Sequence, residues 1–377
     1  MKEDKILLSP PHMGGNELKY IQRAFDSNQI SQYGSNIDEF ENKLESYLGE
    51  NSFVTAVSSG TAAIHLALRL LNVEQGDFVI CQSFTFVATA NPILYLKAIP
   101  VFVDSEYTTW NLCPNAVEDA IKYCLKKGKK PKAIIAVSLY GMPFMVDEIM
   151  EISRKYEIPV VEDSAEALGS KYKNRYCGTF GDLSIISFNG NKIITTSGGG
   201  ILISRKASDK KNTLFLSTQA KDDKDYYSHS ELGYNYRMGN ISAGIGLGQM
   251  DVLEKRIEKR RENHDFYHKI IDRVKSINLF SEYDENFYSN YWLNTILITE
   301  NDRFSAKKLK QKFSENHIET RYLWKPMHLQ PLYKNYSFFG TGFCGTIFDS
   351  GLCLPSGTNL SEDEQWRITE VLNSEIN

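Results

Sequence analysis

The residues with the clearest chemical potential in this chain are one lysine and one carboxylate. Lys192 lies in the glycine-bounded sequence SFNGNKIITTSGGG, residues 187–200, and Asp163 ends the apolar, strand-like run IPVVED. A lysine amine condenses with an aldehyde, and a buried carboxylate keeps a pyridine nitrogen protonated. The pair therefore indicates the chemistry of pyridoxal phosphate (PLP). A surface lysine and a strand-capping aspartate are the alternatives for the two residues taken singly.

A second group of residues could hold the phosphate of such a cofactor. The segment SSGTAAIHLAL, residues 58–68, places Gly60 and Thr61 directly before an apolar helical pattern. Free N–H groups and the positive end of the helix dipole favour an anion at such a start. Ser187, which follows another strand-like run, could add its hydroxyl. Taken alone, the Ser-Gly-Thr segment also fits an ordinary helix N-cap.

Two further candidates could contact the ring of the cofactor. Phe86, in the segment SFTFVATAN, could stack on the pyridine face, although both Phe84 and Phe86 would also suit a hydrophobic core. Glu166, three residues after Asp163, could reach the phenolic oxygen of the cofactor. The alternative for Glu166 is a carboxylate on the protein surface.

Strand-like and helical segments alternate from about residue 54 to 205, which predicts βαβ units and a mainly parallel sheet. Ligands gather at the carboxyl ends of strands in such sheets, and Asp163 and Ser187 both end strand-like runs. We therefore predict an α/β protein with a large domain over residues 1–250, including an N-terminal arm. A smaller α+β domain would follow over residues 251–377.

The joining segment, from about residue 240 to 275, has a helical pattern. Its apolar positions share one face of the helix: Ile241, Ile245, Leu253 and Ile257. The glycines in GNISAGIGLGQM weaken helix propensity, and we interpret them as sites where a helix of another subunit approaches closely.

Composition excludes several other classes of protein. A formal net charge of −4 argues against nucleic-acid binding, and we interpret the run KKGKKPK, residues 126–132, as a solvated helix end. No segment approaches the length of a membrane span. The six cysteines form no CxxC pair, which suits a reducing cytoplasm and no structural zinc. His264 and His268 could form a metal pair, but an exposed helix face is the favoured interpretation.

Several motifs occur in one order along the chain. They are GT at 60–61, SFTFVATAN, EDSAEALG, SFNGNK with TSGGG, GYNYRMGN at 233–240, WKPMHLQP at 324–331 and CLPSGTNLSEDE at 353–364. From residue 7 to its C-terminus the chain resembles the DegT/DnrJ/EryC1/StrS family of nucleotide-sugar aminotransferases. The resemblance implies the fold of a type I PLP-dependent transferase, PLP as the cofactor and a homodimer with shared active sites.

The same resemblance implies roles for the residues around the cofactor ring. Lys192 would hold the cofactor covalently and carry protons between it and the substrate. Asp163 would pair with the pyridine nitrogen, and Glu166 would meet the phenolic oxygen. Phe86 would stack on the ring. The residues that would hold the phosphate are Gly60, Thr61 and Ser187.

Three more roles follow from the resemblance. Asn235 would complete the phosphate site of the other subunit. Arg237 would contact the phosphates of the sugar nucleotide, since a guanidinium binds such oxygens in pairs. His328 would line the sugar pocket.

The segments SPPHMGGNELKYIQRAF, SFNGNKIITTSGGG, STQAKDD and YNYRM resemble one group of this family in particular. Enzymes of that group transfer an amino group from glutamate to carbon 4 of UDP-2-acetamido-2,6-dideoxy-4-hexulose, for bacillosamine-type glycans. Amination of a GDP- or dTDP-linked sugar, or amination at carbon 3, stays open.

The sequence disfavours three alternatives to an aminotransferase. A dehydratase-type relative would have replaced Lys192. A nicotinamide-dependent enzyme would need GxGxxG after its first strand. A non-catalytic regulatory protein on the same fold would be expected to have lost Lys192 or Asp163, and this chain retains both.

Overall fold

Helices make up much of the chain, and several of them separate the strands of one large sheet. The computed structural model describes residues 4–272, 274–299 and 305–376, with side chains as far as residue 373. The α-helices are α1 (Glu17–Asp26), α2 (Ser35–Leu48), α3 (Gly60–Leu70), α4 (Val87–Tyr95), α5 (Pro114–Lys126), α6 (Val146–Tyr156), α7 (Ala207–Ser217), α8 (Asn240–Met250), α9 (Leu253–Ile271), α10 (Ala306–Glu315), α11 (Phe343–Ser350) and α12 (Glu362–Ile376).

The strands belong to three sheets. They are β1 (Phe53–Val57), β2 (Phe78–Gln82), β3 (Ile99–Val103), β4 (Ala133–Val137), β5 (Val160–Asp163), β6 (Lys171–Tyr172), β7 (Arg175–Tyr176), β8 (Leu183–Ser187), β9 (Gly200–Ser204), β10 (Ile277–Leu279), β11 (Phe287–Tyr288), β12 (Asn294–Ile298), β13 (Arg321–Tyr322), β14 (Phe338–Phe339) and β15 (Gly351–Leu354). Short 3₁₀ turns lie at Leu139–Gly141 and Met327–Leu329.

The large sheet has the strand order β1-β9-β8-β5-β4-β2-β3-β14. From β8 to β14 neighbouring strands pair in parallel, whereas β9 is antiparallel to both β1 and β8. This confirms the predicted α/β architecture with a mainly parallel sheet. β4 and β9 are buried at every residue, as strands covered on both faces must be. Because β5 ends at Asp163 and β8 at Ser187, both residues lie at the same edge of the sheet.

The second half of the chain forms a four-stranded sheet of its own, in the order β10-β12-β15-β13. The predicted domain boundary between residues 250 and 251 lies in the short break between α8 and α9. In the part of the chain that the structure describes, two pairings between strands nevertheless cross it. β14 extends the large sheet beside β3, and β11 pairs with β6 in a three-stranded sheet. The C-terminal segment therefore adds strands to the N-terminal one.

The predicted joining helix is two helices, and its glycines serve contacts within the chain. A Cβ atom on Gly244 would lie 2.7 Å from Asn36 Nδ2, and one on Gly248 would lie 2.6 Å from Glu17 N. These close approaches let α8 pack on α1 and α2, and the glycine face is the buried one. The interpretation of these glycines as a contact with another subunit is corrected accordingly. Ile241 and Ile245 are only half-buried.

The structure also bears on the histidine pair, the lysine-rich run, and the expected absence of metal sites and membrane spans. His264 is buried, bonded to Asn294 and Ser281 and stacked on Tyr291, so an exposed face was the wrong interpretation for it. His268 is exposed, as expected. Residues 126–130 form the expected solvated end of α5. Within the described ranges, no cluster of metal-ligating side chains occurs and no helix has the length and apolarity that a membrane crossing needs.

Candidate active site

A cavity of about 510 Å³ opens where β5 and β8 end and α3 begins. Its volume is typical of sites for small molecules and cofactors. Most of the residues predicted from the sequence line it: Gly60, Thr61, Phe86, Asp163, Glu166, Ser187 and Lys192. The topology of the sheet thus brings together side chains that are far apart along the chain.

Asp163 is a buried carboxylate held by two donors. Thr89 Oγ1, in the first turn of α4, donates to Asp163 Oδ2 at 2.7 Å, and the Ala165 N–H donates to Oδ1 at 3.1 Å. Burial raises the pKa of Asp163, against the opposing effects of the Thr89 hydrogen bond and the charge of Lys192. A cation placed against this carboxylate would favour its ionised form. A protonated pyridine nitrogen is such a cation.

Glu166 is also buried, so the alternative of a surface carboxylate is wrong. Its Oε2 accepts the Tyr140 N–H at 2.8 Å, and its Oε1 lies 3.3 Å from Lys192 Nζ. Burial raises the pKa of Glu166, while the nearby lysine charge opposes that shift. Tyr140 has a φ of 55°, a left-handed conformation that bulky residues rarely adopt and that is often found at functional sites.

Lys192 lies on the tight turn after β8 and is mostly buried, so the surface-lysine alternative is also wrong. Its backbone N–H donates to the Asn189 carbonyl at 3.0 Å. Its ammonium lies 4.1 Å from the centroid of the Trp292 ring, opposite the Glu166 carboxylate. The amine therefore faces the cavity between an aromatic face and an acid.

The predicted phosphate cradle depends on a close approach between α3 and the end of β8. Ser59 caps α3 by accepting the Ala62 N–H at 3.0 Å, which leaves the earlier N–H groups of the helix for another acceptor. A Cβ atom on Gly60 would lie 3.1 Å from Ser187 Cβ and would fill the cradle. Helix N–H groups and serine and threonine hydroxyls are suitable donors for a phosphate. The residues present therefore fit PLP.

The two phenylalanines of SFTFVATAN have different environments. Phe84 is fully buried in the core, whereas Phe86 caps α4, is 47% exposed and lines the cavity. Phe86 also packs against Trp324, at 5.1 Å between ring centroids. The position of Phe86 suits an aromatic that contacts a ring in the cavity.

Asn235 lies outside the cavity of its own chain. It is exposed, and its Oδ1 accepts hydrogen bonds from Gln32 Nε2 at 2.8 Å and from Gln219 Nε2 at 3.0 Å. Its predicted contact with the phosphate therefore depends on a second subunit.

Arg237 and His328 do not line this cavity in the single chain, so their contacts with the sugar nucleotide stay predictions. Arg237 is only 8% exposed and forms an ion pair with Glu41, so its charge is already neutralised. His328 bonds Ser83 at 2.7 Å through Nδ1 and stacks on Phe338, and burial lowers its pKa.

Other cavity residues were missed from the sequence. The missed side chains include Thr89, Trp292, Arg321 and Trp324. Arg321 and Trp324 belong to the segment ETRYLWKPMHLQP, which also contains the predicted residue His328. Arg321 donates to Glu319 Oε1 through Nε at 3.1 Å and Nη2 at 2.8 Å. The arginine and the tryptophan close to His328 in the sequence are the signal from which these cavity residues could have been predicted.

The comparisons with known proteins agree with this site. The sequence profile of the DegT/DnrJ/EryC1/StrS aminotransferase family matches residues 11–373, so the chain belongs to that family. It is 50% identical to EpsN of Bacillus subtilis (strain 168), which is provisionally named a pyridoxal phosphate-dependent aminotransferase, over 98% of this chain and 95% of that relative. It is 36% identical to the GDP-perosamine synthase of Escherichia coli O157:H7, over 96% of each chain.

Solved structures lead to the same class. The PLP form of Spr1654 from Streptococcus pneumoniae, provisionally named a sugar aminotransferase, matches with a TM-score of 0.90 at 26% identity. That match covers 99% of this chain and 100% of the other. The protein is therefore a PLP-dependent sugar aminotransferase with the type I fold, which confirms the predicted fold, cofactor and class of enzyme.

Proposed function

We propose that this enzyme moves an amino group from glutamate to carbon 4 of a nucleotide-linked 4-keto-6-deoxy sugar. UDP-2-acetamido-2,6-dideoxy-4-hexulose is the first substrate to test, because the sequence resembles enzymes that act on it. The observation that carries the proposal is one cavity that holds Lys192, Asp163 and Glu166 and has Arg321 in its wall.

The residues of the cavity divide the chemistry among them. Bound PLP supplies an electron sink for the carbon that loses or gains a proton. Lys192 holds the cofactor and moves that proton, since its amine faces the cavity. Asp163 keeps the ring nitrogen protonated, and Glu166 accepts a hydrogen bond from the Lys192 ammonium at 3.3 Å. The amino group first passes from glutamate to the cofactor and then from the cofactor to the sugar. Because both halves of the reaction require the same kind of proton transfer, one lysine serves both.

Arg321 favours a nucleotide-linked sugar over a free one. It lines the cavity and also borders an outer groove with Lys5, Lys310, His317 and Glu319. Glu319 pairs with Arg321 at 2.8 Å, but the Arg321 side chain stays 65% exposed and can still meet an anion. A diphosphate that leaves the cavity across Arg321 would enter a groove of the opposite charge. A guanidinium binds such oxygens strongly because it can donate two parallel hydrogen bonds.

A GDP-linked sugar is the second candidate. It is favoured by the 36% identity to the Escherichia coli protein that is named GDP-perosamine synthase. Pocket contacts decide substrate choice within one fold, so both nucleotides must be tried.

The first test is a single turnover of the purified enzyme. Glutamate converts the bound cofactor to its amine form, and the excess is removed. The enzyme is then mixed in turn with the UDP-, GDP- and dTDP-linked 4-ketosugars while the cofactor absorbance is followed. Fast recovery with the UDP sugar, and a product carrying an amine in place of its ketone, is the expected result. Recovery with the GDP sugar alone would replace the UDP assignment.

We further propose a cytoplasmic homodimer in which Asn235 of each subunit completes the phosphate site of the other. The exposure of Asn235 outside its own cavity supports this arrangement. Mixing inactive Lys192→Ala subunits with Asn235→Ala subunits should then restore activity, because one of the two sites in each mixed dimer is intact. Mixed protein no more active than its parents would contradict a shared site.

A further inference from the structure

The residue just before the catalytic lysine is held by two remote side chains. The Asn191 carbonyl accepts a hydrogen bond from Ser9 Oγ at 2.8 Å and another from Trp292 Nε1 at 2.7 Å. A carbonyl oxygen has two lone pairs, so these donors together satisfy it. The backbone on which Lys192 stands is thus bonded to the N-terminal arm and to the segment before β12.

Arg260 of α9 joins the two donors. Its Nη1 donates to the Trp292 carbonyl, and its Nη2 donates to Ser9 Oγ at 2.9 Å. Arg260 is 2% exposed and, among the described residues, makes no ion pair. A buried cation depends on its hydrogen-bond acceptors, so Ser9 and Trp292 are fixed relative to each other. Ser9, Trp292 and Arg260 are called the Asn191 clamp below.

Trp292 also contacts the lysine side chain directly. The Lys192 ammonium lies 4.1 Å from the centroid of the Trp292 ring, and the Trp292 side chain is 1% exposed. A cation over an indole face is stabilised electrostatically, the more so where water is excluded. The same side chain therefore fixes the backbone of the lysine and covers its charged end.

We propose that Trp292 is a positioning residue for Lys192, and that the Asn191 clamp fixes the amine for its repeated reaction with PLP. The clamp makes the docking of the N-terminal arm part of the active site. It also gives a chemical role to Trp292, the last residue of the aromatic segment YSNYW.

The clamp is tested by removing its donors singly and together, through Ser9→Ala, Trp292→Phe and the double variant. Each single variant leaves one donor on the Asn191 carbonyl, so the affinity for PLP should fall by roughly 2- to 5-fold, as measured by absorbance titration. The double variant removes both side-chain donors from the Asn191 carbonyl and should lose roughly 30-fold or more, beyond the product of the single effects.

A second readout reports on the ring face alone. Trp292→Leu removes the cation–π contact. The midpoint of the pH-dependent change in the absorbance of the bound cofactor should therefore be roughly half a pH unit lower than in the wild type. Trp292→Phe keeps an aromatic face and should shift this midpoint less. The matched control is Trp366→Phe on α12, a tryptophan that is 64% exposed and not part of the clamp, and it should leave both readouts unchanged.

Ser9→Ala also provides a test that tolerates poor folding of the Trp292 variants, because it deletes a single hydroxyl. In cofactor-free protein, Lys192 of this variant should be methylated by formaldehyde and a reductant several-fold faster than in wild type, as measured by mass spectrometry. An unchanged methylation rate would overturn the clamp. Single and double effects on affinity that simply multiply, with no shift of the midpoint in Trp292→Leu, would overturn it as well.

Discussion

The residues that line the cavity form two groups, a floor and a cover, which come from different parts of the fold. The floor, meaning Gly60, Asp163, Ser187 and Lys192, comes from strand ends and from the turn and helix next to them. The cover, meaning Arg321 and Trp324, comes from the second half of the chain. Asp163 is 4% exposed, whereas the Arg321 side chain is 65% exposed. The buried floor can hold a cofactor out of water. The exposed side chain of Arg321 lies where substrates can enter and leave.

This difference predicts two separable kinds of variant. A change in the floor should act on cofactor binding and on proton transfer with both substrates. A change at the exposed edge of the cover should act on the KM of the sugar substrate and leave the cofactor bound.

Lys192→Ala should have the largest effect. In the proposed function its amine holds the cofactor and moves the proton, so turnover should fall by roughly 10⁴-fold or more. The variant should still fold and bind PLP noncovalently, as checked by thermal melting and ultrafiltration. Lys325→Ala, which removes an exposed lysine from the segment after β13, is the control and should retain near-normal turnover. Residual activity near that of wild type would remove Lys192 from the mechanism.

The sequence predicts the floor well because local pattern and topology agree there. β-branched runs predict β5 and β8, and parallel strands bring their ends, Asp163 and Ser187, to one edge. The cover depends on how a second sheet packs on the first, for which periodicity carries no signal. The ion pair of Arg237 is unpredictable for a related reason, since its partner Glu41 precedes it by 196 residues. Nothing in the local pattern shows that this charge would be neutralised.

Asp163→Asn should have the next largest effect, with opposite consequences for binding and stability. Without the carboxylate the ring nitrogen loses its partner, so PLP affinity and turnover should each fall by roughly 100-fold. Because burial raises the pKa of Asp163 in the fold, its ionisation costs stability as pH rises above the unfolded value. Cofactor-free Asp163→Asn should therefore melt above cofactor-free wild type at pH 7 but not at pH 3. A lower melting temperature at pH 7 would contradict this.

Arg321→Gln tests the cover and should have an intermediate effect. Loss of a charged donor should raise the KM for the nucleotide sugar by roughly 10- to 100-fold, with a smaller change in kcat. Cofactor absorbance should be unchanged, because Arg321 stands at the cavity edge. Arg154→Gln, an exposed arginine on α6, is the matched control. A loss of PLP affinity in Arg321→Gln would contradict the separation of floor and cover.

Thr89→Val should have the smallest effect. It tests whether a residue that does not itself react holds Asp163 in place. The Thr89 hydroxyl donates to Asp163 Oδ2 at 2.7 Å and lowers a pKa that burial otherwise raises. Its removal should weaken PLP binding by roughly 10-fold, since a hydrogen bond to a charged group is lost. Thr89→Ser keeps the hydroxyl and should bind PLP as wild type does. If both variants bind equally well, Asp163 is held by burial and the Ala165 N–H alone, and the floor depends less on α4 than its geometry indicates.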